Sequence, residues 1–260
     1  MLRVNKLTVS AQGVRLLDNV SCQLNGGEVL AIIGPNGAGK TTLLNTILNQ
    51  VHPGQHVQGS IEACGKAFTQ WSPKMRARHM ALLPQLSLLN FPYTVAEVIQ
   101  LGRIPHQSGK TIDQEIVNEA LVALDIVHLK QRLYTQLSGG EKQRVQLARV
   151  MTQIWREQDA RQRLLLLDEP TSSLDLGHQQ RFMEQIRCFA NQGVAIVIIA
   201  HDINLVSHYA DYVLALACGH VLAQGQAQQV IQADLINSLY QVNTKLIAHP
   251  DTQNSIVVFR

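Results

Sequence analysis

Nine consecutive residues, Gly34 to Thr42, read GPNGAGKTT: a glycine, four residues, then glycine, lysine and threonine. Glycines so spaced let backbone N–H groups turn inward around a phosphate, and a helix starting at the lysine adds the positive end of its dipole. In this P-loop pattern Gly34, Pro35, Asn36, Gly37, Ala38 and Gly39 form the cradle and Thr42 closes it. Lys40 reaches the β- and γ-phosphates of a nucleotide, and the Thr41 hydroxyl is placed to ligate Mg²⁺. A chance glycine-rich turn fits poorly, because the apolar run EVLAII precedes the loop and KTTLLNTILNQ, apolar at helical spacing, follows it.

Two adjacent acids, Asp168 and Glu169, end the apolar run LLLLDEP. Buried carboxylates are costly unless a cation or strong donors stand close by. Asp168 therefore suits a position facing Mg²⁺ through water, and Glu169 suits the base that orients and polarises an attacking water. A third stretch, LSGGE at Leu137 to Glu141 followed by KQRVQLAR, places Ser138, Gly139 and Gly140 at a helix start, a second phosphate cradle. One ATP does not need two cradles in one chain. The economical reading is that the second serves an ATP held by another copy.

Strands and helices must carry these groups. RVNKLTVS and VRLLDNVSCQLN alternate as strands do, and Gly26-Gly27 turns the chain into EVLAII. From about Met75 to Gln136 the pattern becomes helical. TIDQEIVNEALVALDIV puts Ile116, Val117, Ala120, Leu121 and Leu124 on one face, with Thr111 and Gln114 as its capping box. RLLLLDEP and GVAIVIIAHD are continuously apolar, which suits central parallel strands covered on both faces. The tail reads as a hairpin, a helix and a last edge strand, SIVVFR. The expectation is an α/β fold with a helical block inserted into its core.

At 260 residues, 46% hydrophobic and 16% charged, the composition is ordinary, and a net charge of +3 with scattered basic residues makes no nucleic-acid surface. Cys22, Cys64, Cys188 and Cys218 lie far apart and read as reduced thiols. MLRVNKLTVS has no apolar signal-peptide core, and no apolar run approaches the roughly 18 residues needed to cross a bilayer. Any membrane role is expected to come through a partner.

Taken in order, the motifs resemble those of ATP-binding-cassette (ABC) ATPase subunits over essentially the whole chain. Walker A is Gly34–Thr42, the Q-loop glutamine is Gln85 in LLPQ, the signature is Leu137–Glu141, and Walker B is Leu164–Glu169. The D-loop, SSLD, is Ser172–Asp175, and the H-loop residue is His201. The resemblance implies one ABC ATPase domain over 1–260: a P-loop NTPase core with a RecA-like parallel sheet, an N-terminal antiparallel β-subdomain, and a helical subdomain inserted at about 86–160. It implies two copies facing head to tail, each ATP lying between one P-loop and the other copy's Ser138–Gly140. Glu169 and His201 would act on the attacking water and γ-phosphate, Gln85 would contact Mg²⁺ or the water, and Asp175 would reach across the interface. ATP would close the pair, and hydrolysis would reopen it.

One departure stands out. The family stacks adenine on an aromatic ring near TVSAQGVR, but this chain has Ala11 there and no aromatic before Phe68. Either Arg15 or another side chain covers the base, or the base is held loosely; weak discrimination between ATP and GTP is expected.

LNFPYTVAEVIQLGRIPHQ, Leu89 to Gln107, is similar to a run in the importer ATPases for iron–siderophore, haem and cobalamin uptake. In that group a short permease helix docks just after the Q-loop, and Phe91, Pro92, Tyr93 and Val95 would suit such a groove; Val95 and Val98 suit internal packing equally well. The insert QIWREQDARQR, Gln153 to Arg163, makes the path from Ser138 to Asp168 thirty positions (168 − 138 = 30). With SSLDLGHQ it resembles the haemin-import ATPases in particular. Its charges suit a solvated loop or helix extension, with Trp155 as a packing anchor. The histidines, among them His52, His56, His79, His106 and His128, suit surface or packing roles better than haem ligation. The implied assembly is peripheral, on the cytoplasmic face of a bacterial inner membrane. It contains a second copy, two permease subunits and, indirectly, a periplasmic binding protein, with no nucleic acid. The implied cargo is haemin, with ferric siderophore or cobalamin as alternatives. A soluble repair or translation cassette would carry long coiled coils or two cassettes in one chain, and a scaffold without turnover would not need both Lys40 and Glu169.

Overall fold

The alternation of buried and exposed residues along β1 (Leu2–Ala11) and β2 (Val14–Leu24) pairs them antiparallel through a tight turn at Gln12 and Gly13, both left-handed. These and the elements below come from a computed structural model that describes residues 1–85, 89–172, 174–249 and 255–259. β1 pairs on its other edge with β4 (Gln55–Ala63), and β5 (Lys66–Ala67) completes a four-stranded sheet of order β2-β1-β4-β5. This is the N-terminal antiparallel unit expected from the sequence.

The second sheet has the order β10-β9-β3-β8-β7-β6. Its members are β3 (Val29–Ile33), β6 (Met80–Leu83), β7 (Leu164–Asp168), β8 (Ala195–Ile199), β9 (Tyr212–Ala217) and β10 (His220–Gln226). All pairs are parallel except the β9–β10 hairpin. Every residue of β3, β7 and β8 is buried, which is why these runs are apolar without alternation up to Asp168, the one carboxylate, at the end of β7. Successive side chains still point to opposite faces. Leu30, Ile32, Leu166 and Val197 join the core under the N-terminal sheet and α1 (Lys40–Ile47), whereas Ala31, Ile33, Leu167 and Ile198 join the core under the other helices. Because β3, β6, β7 and β8 run parallel, the residues just beyond their carboxyl ends share one edge of the sheet, where open α/β sheets bind ligands.

A short α2 (Pro73–His79) leads into β6, and between β6 and β7 lie α3 (Val95–Gln100), α4 (Lys110–Ala123) and α5 (Gly139–Gln153). Ile116, Val117, Ala120 and Leu121 of α4 are buried as expected, with Leu124 just past its end. The Thr111–Gln114 capping box does not form: α4 starts at Lys110 after Gly109, so Thr111 already lies inside the first turn. Val95 and Val98 are fully buried, which assigns both to internal packing and removes Val95 from any docking surface; Phe91 and Tyr93 remain exposed.

The insert is not a helix extension, because α5 stops at Gln153. Nor are its charges simply solvated. Trp155 packs 5.7 Å from Phe189 and donates its indole N–H to Glu119 at 2.7 Å. Arg163, 3% exposed, donates to the carbonyls of Ile154, Trp155 and Gln192. Asp159 accepts from the buried Arg103, which also donates to Asp113, Ser108 and the Thr152 carbonyl. The segment is a polar brace between α4, α6 (Leu176–Asn191) and the loop after α3.

After β8 come α7 (Ile203–Tyr209), then β9 and β10, α8 (Ala227–Val230) and α9 (Ala233–Tyr240). β11 (Thr244–Ala248) and β12 (Ser255–Phe259) pair in a separate two-stranded ribbon, so the last strand is not an edge of the main sheet. All four cysteines are free thiols. Among the described residues no helix is long and apolar enough to cross a membrane.

Candidate active site

The loop from β3 to α1 is pressed against β2 and β9. A Cβ on Gly34 would lie 2.1 Å from the Leu216 carbonyl oxygen, and one on Gly39 would lie 2.7 Å from Leu17 Cδ2. Gly37 and Gly39 have φ of 78° and 99°, the left-handed turns that aim successive N–H groups inward. No side chain caps the N-terminus of α1, so its first amides face the cradle. The Lys40 ammonium donates to the carbonyls of Gly34 (2.8 Å) and Pro35 (3.0 Å), folded back over the loop. Burial lowers its pKa, opposed by the nearby carboxylates of Glu169 and Asp168.

Asp168, at the end of β7, is 5% exposed, and burial is the main cause of its raised pKa. Its Oδ1 accepts from the Thr41 hydroxyl at 3.5 Å. A carboxylate and a hydroxyl converging beside a phosphate cradle form the all-oxygen donor set that suits Mg²⁺.

Glu169 takes a left-handed backbone (φ 48°), its N–H donating to the Ile199 carbonyl of β8 at 3.2 Å. That sharp turn swings the side chain off the strand. Its Oε2 accepts from Gln85 Nε2 at 2.7 Å, and its Oε1 lies 2.5 Å from His201 Nε2. Gln85 and His201, beyond the ends of β6 and β8 and 84 and 32 positions from Glu169 in the chain, thus meet at the carboxylate that follows β7. Together with the loop they line a cleft of about 990 Å³.

Val14, Arg15, Leu16, Cys218 and Gly219 line another part of the cleft. Among the described residues no Phe, Tyr or Trp lines the cleft, and Ala11 is not part of it. Arg15 forms a 2.8 Å ion pair with Asp18. Sequence reading did not anticipate Cys218 and Gly219. The available signal was the β9–β10 turn, where both residues have positive φ and a Cβ on Gly219 would lie 2.7 Å from the Leu16 carbonyl.

Ser138, Gly139 and Gly140 do not line this cleft. Ser138 caps α5, its hydroxyl accepting from Glu141 N–H at 3.3 Å while Glu141 accepts from Ser138 N–H at 2.7 Å. Gln143, one turn on, donates to the Pro170 carbonyl at 2.9 Å, tying the start of α5 to the turn after Glu169. Asp175 caps α6, accepting from the His178 N–H at 2.9 Å, and its side chain is 71% exposed. The backbone N–H and ring of His178 lower its pKa. Ser173 of the D-loop lies outside the described residues. The histidines fall on surface and packing positions: His52, His56 and His128 are exposed, while His79 Nδ1 and His106 Nε2 meet the carbonyls of Gln162 and Gln153 at 2.9 and 2.7 Å.

The ABC transporter family model matches residues 17–172. Over its full length the chain is similar to the haemin import ATP-binding protein of Pseudomonas fluorescens strain Pf0-1, at 41% identity over 260 residues, covering 100% of both chains. It is 44% identical over 252 residues to the protein of the same name from Gloeobacter violaceus, covering 96% of this chain and 90% of that one. Among solved structures, a metal-chelate type ABC transporter in an inward-facing conformation superposes with a TM-score of 0.81 at 26% identity, covering 100% of this chain and 96% of that one. A dimeric ATP-binding cassette in a post-hydrolysis state with ADP and Pi superposes at 0.74, with 22% identity over 87% of this chain and 99% of that one, a likeness of fold. The phosphate cradle, the clustered Gln85, Glu169 and His201, and these likenesses agree: the chain belongs to the ABC transporter family, as an ATPase of that family.

Proposed function

We propose that this protein hydrolyses ATP to drive haemin import, as the subunit bound to the cytoplasmic face of the inner membrane. The observation that carries the chemistry is the Glu169 carboxylate, held between Gln85 and His201 at the mouth of the P-loop. A water entering between Glu169 and His201 gives up a proton to Glu169 as its oxygen attacks the γ-phosphorus, and ADP leaves with the β–γ bridging oxygen. Lys40 leaves the Gly34 and Pro35 carbonyls for the β- and γ-phosphates, and His201 turns to the γ-phosphate. Bound Mg²⁺ would neutralise charge on the phosphate oxygens, held by Thr41 and Asp168 with Gln85 beside it.

Ser138–Gly140 lie outside the chain's own cleft at a helix start, which supports their serving the ATP of a second copy, and the exposure of Asp175 is compatible with its reaching across such an interface. Residues 86–160 are read as the inserted helical subdomain of a single 1–260 domain. The exposed Phe91 and Tyr93 on it suit contact with the two permease subunits, and a periplasmic binding protein would act through them. Haemin as cargo is supported by the full-length likeness to haemin import ATP-binding proteins. The test is ATPase activity in lipid with the co-purified permease. Stimulation by a haemin-loaded binding protein is expected, and stimulation by a ferric siderophore or cobalamin instead would overturn the cargo.

A further inference from the structure

The C-terminal segment, beyond the residues matched by the family model, touches the ATP machinery at two points. Tyr240, the last residue of α9, accepts the Gly34 N–H on its phenol oxygen at 3.0 Å. Gly34 is where the β3 ladder ends, its last pairings being Ile32 with Ile199 and Ile33 with Ala215. A buried N–H past the end of a ladder needs another acceptor, and Tyr240 is that acceptor. The Gly34 carbonyl on the other side receives Lys40. Tyr240 therefore fixes the loop where Lys40 must let go in order to reach a phosphate.

The second point is α7, which starts two residues after His201. Asp202 caps it, accepting from the N–H groups of Asn204 (2.8 Å) and Leu205 (3.1 Å). Asn204 pairs with the backbone of β12 as a neighbouring strand would. Its Oδ1 accepts from Val257 N–H at 2.8 Å, and its Nδ2 donates to the Val257 carbonyl at 3.2 Å. Ser207 adds a 2.7 Å bond to the Ser255 carbonyl. α9 and the ribbon are themselves joined, because Thr244 donates from both its N–H and its hydroxyl to Asn237 Oδ1, each at 2.7 Å. One continuous unit thus holds the start of the P-loop at one end and the turn carrying His201 at the other.

We infer that Tyr240 and Asn204 are positioning residues for ATP hydrolysis, the two ends of a C-terminal clasp that sets the P-loop and the His201 turn in register. This rests on the ATPase reading above. Tyr240 acts through Gly34 on nucleotide affinity; Asn204 acts through α7 on turnover.

The experiment uses the purified full chain with Tyr240→Phe, which keeps the ring and removes the acceptor, and Asn204→Ala. Tyr240→Phe should raise KM for ATP about fivefold, the size of one neutral hydrogen bond, and leave kcat within about twofold. Asn204→Ala should lower kcat about fivefold with KM nearly unchanged. Amide hydrogen exchange should quicken at Gly34 only in the first variant and at Val257 only in the second. Faster exchange with unchanged KM and kcat, or equal losses of both parameters in both variants, would reduce the clasp to a stability device and overturn the inference. A wild-type chain that neither binds nor hydrolyses ATP would instead refute the reading of the site itself.

Discussion

Replacing Arg103 with methionine removes a cation whose side chain is only 1% exposed and whose guanidinium serves four partners. It donates to Asp113 (2.9 Å), Asp159 (2.8 Å), the Thr152 carbonyl (2.8 Å) and Ser108 (2.9 Å). The two carboxylates would keep their places, 17% and 15% exposed, without their counter-charge. Removing one partner of a buried pair costs about 3–5 kcal/mol; because water reaches both carboxylates a little, the lower end, about 3 kcal/mol, applies. For a chain of this size that corresponds to a fall of about 6–12 °C in melting temperature. Urea and thermal unfolding followed by tryptophan fluorescence measure it, with Trp155 close to the lost network. The pH dependence has a definite sign. Burial pushes the Asp113 pKa up, but the hydrogen bonds from Arg103 and Ser108 and the Arg103 charge outweigh it and leave the pKa below its ordinary 3.8. In the wild type Asp113 therefore adds stability above that value, lost as pH falls through the depressed folded pKa. In the variant the downward pull is largely gone and burial dominates, so ionised Asp113 becomes a cost that acid removes. The difference between the two proteins should be largest near neutrality and shrink below about pH 4. A loss under about 1 kcal/mol at neutral pH, or a gap that widens in acid, would refute the buried-network account.

Glu169→Gln should still bind ATP and accumulate as a dimer on size exclusion while turnover falls about a hundredfold or more; unchanged hydrolysis would remove Glu169 from its role. Lys40→Ala should lose nucleotide binding in a fluorescent-analogue titration, and normal hydrolysis would sink the P-loop reading. In native protein near neutral pH, iodoacetamide should label the exposed Cys188 and Cys218 and spare Cys22 and Cys64, whose thiols burial pushes up to about 12. ATP should protect Cys218 alone, because it lines the cleft. With no Phe, Tyr or Trp among the described residues that line the cleft, kcat/KM for GTP should fall well within about a hundredfold of that for ATP, and a larger preference for ATP would show that a base-reading contact exists.

The sequence alone carried the parts of this protein that are local or chemically unforgiving. Gly34 to Thr42 announced a phosphate cradle because few residue types accept those backbone angles beside a helix start. The apolar runs at β3, β8 and Leu164–Leu167 of β7 announced central parallel strands, because a side chain covered on both faces of the sheet has little water to meet. The capping pattern at Ser138 and Glu141 was equally local. Three things were decided by tertiary structure. Gln85 and His201 are ordinary loop residues in the chain and become a pair only because β6, β7 and β8 end side by side. The charged insert from Gln153 to Arg163 looked solvated, but the folded chain brings Arg103, Glu119 and backbone carbonyls to its charges, and no period or propensity encodes such long-range pairing. Tyr240 gives no signal in its own segment. Its partner, the Gly34 N–H, lies 206 positions away and is left over only because the β3 ladder stops one residue short of it.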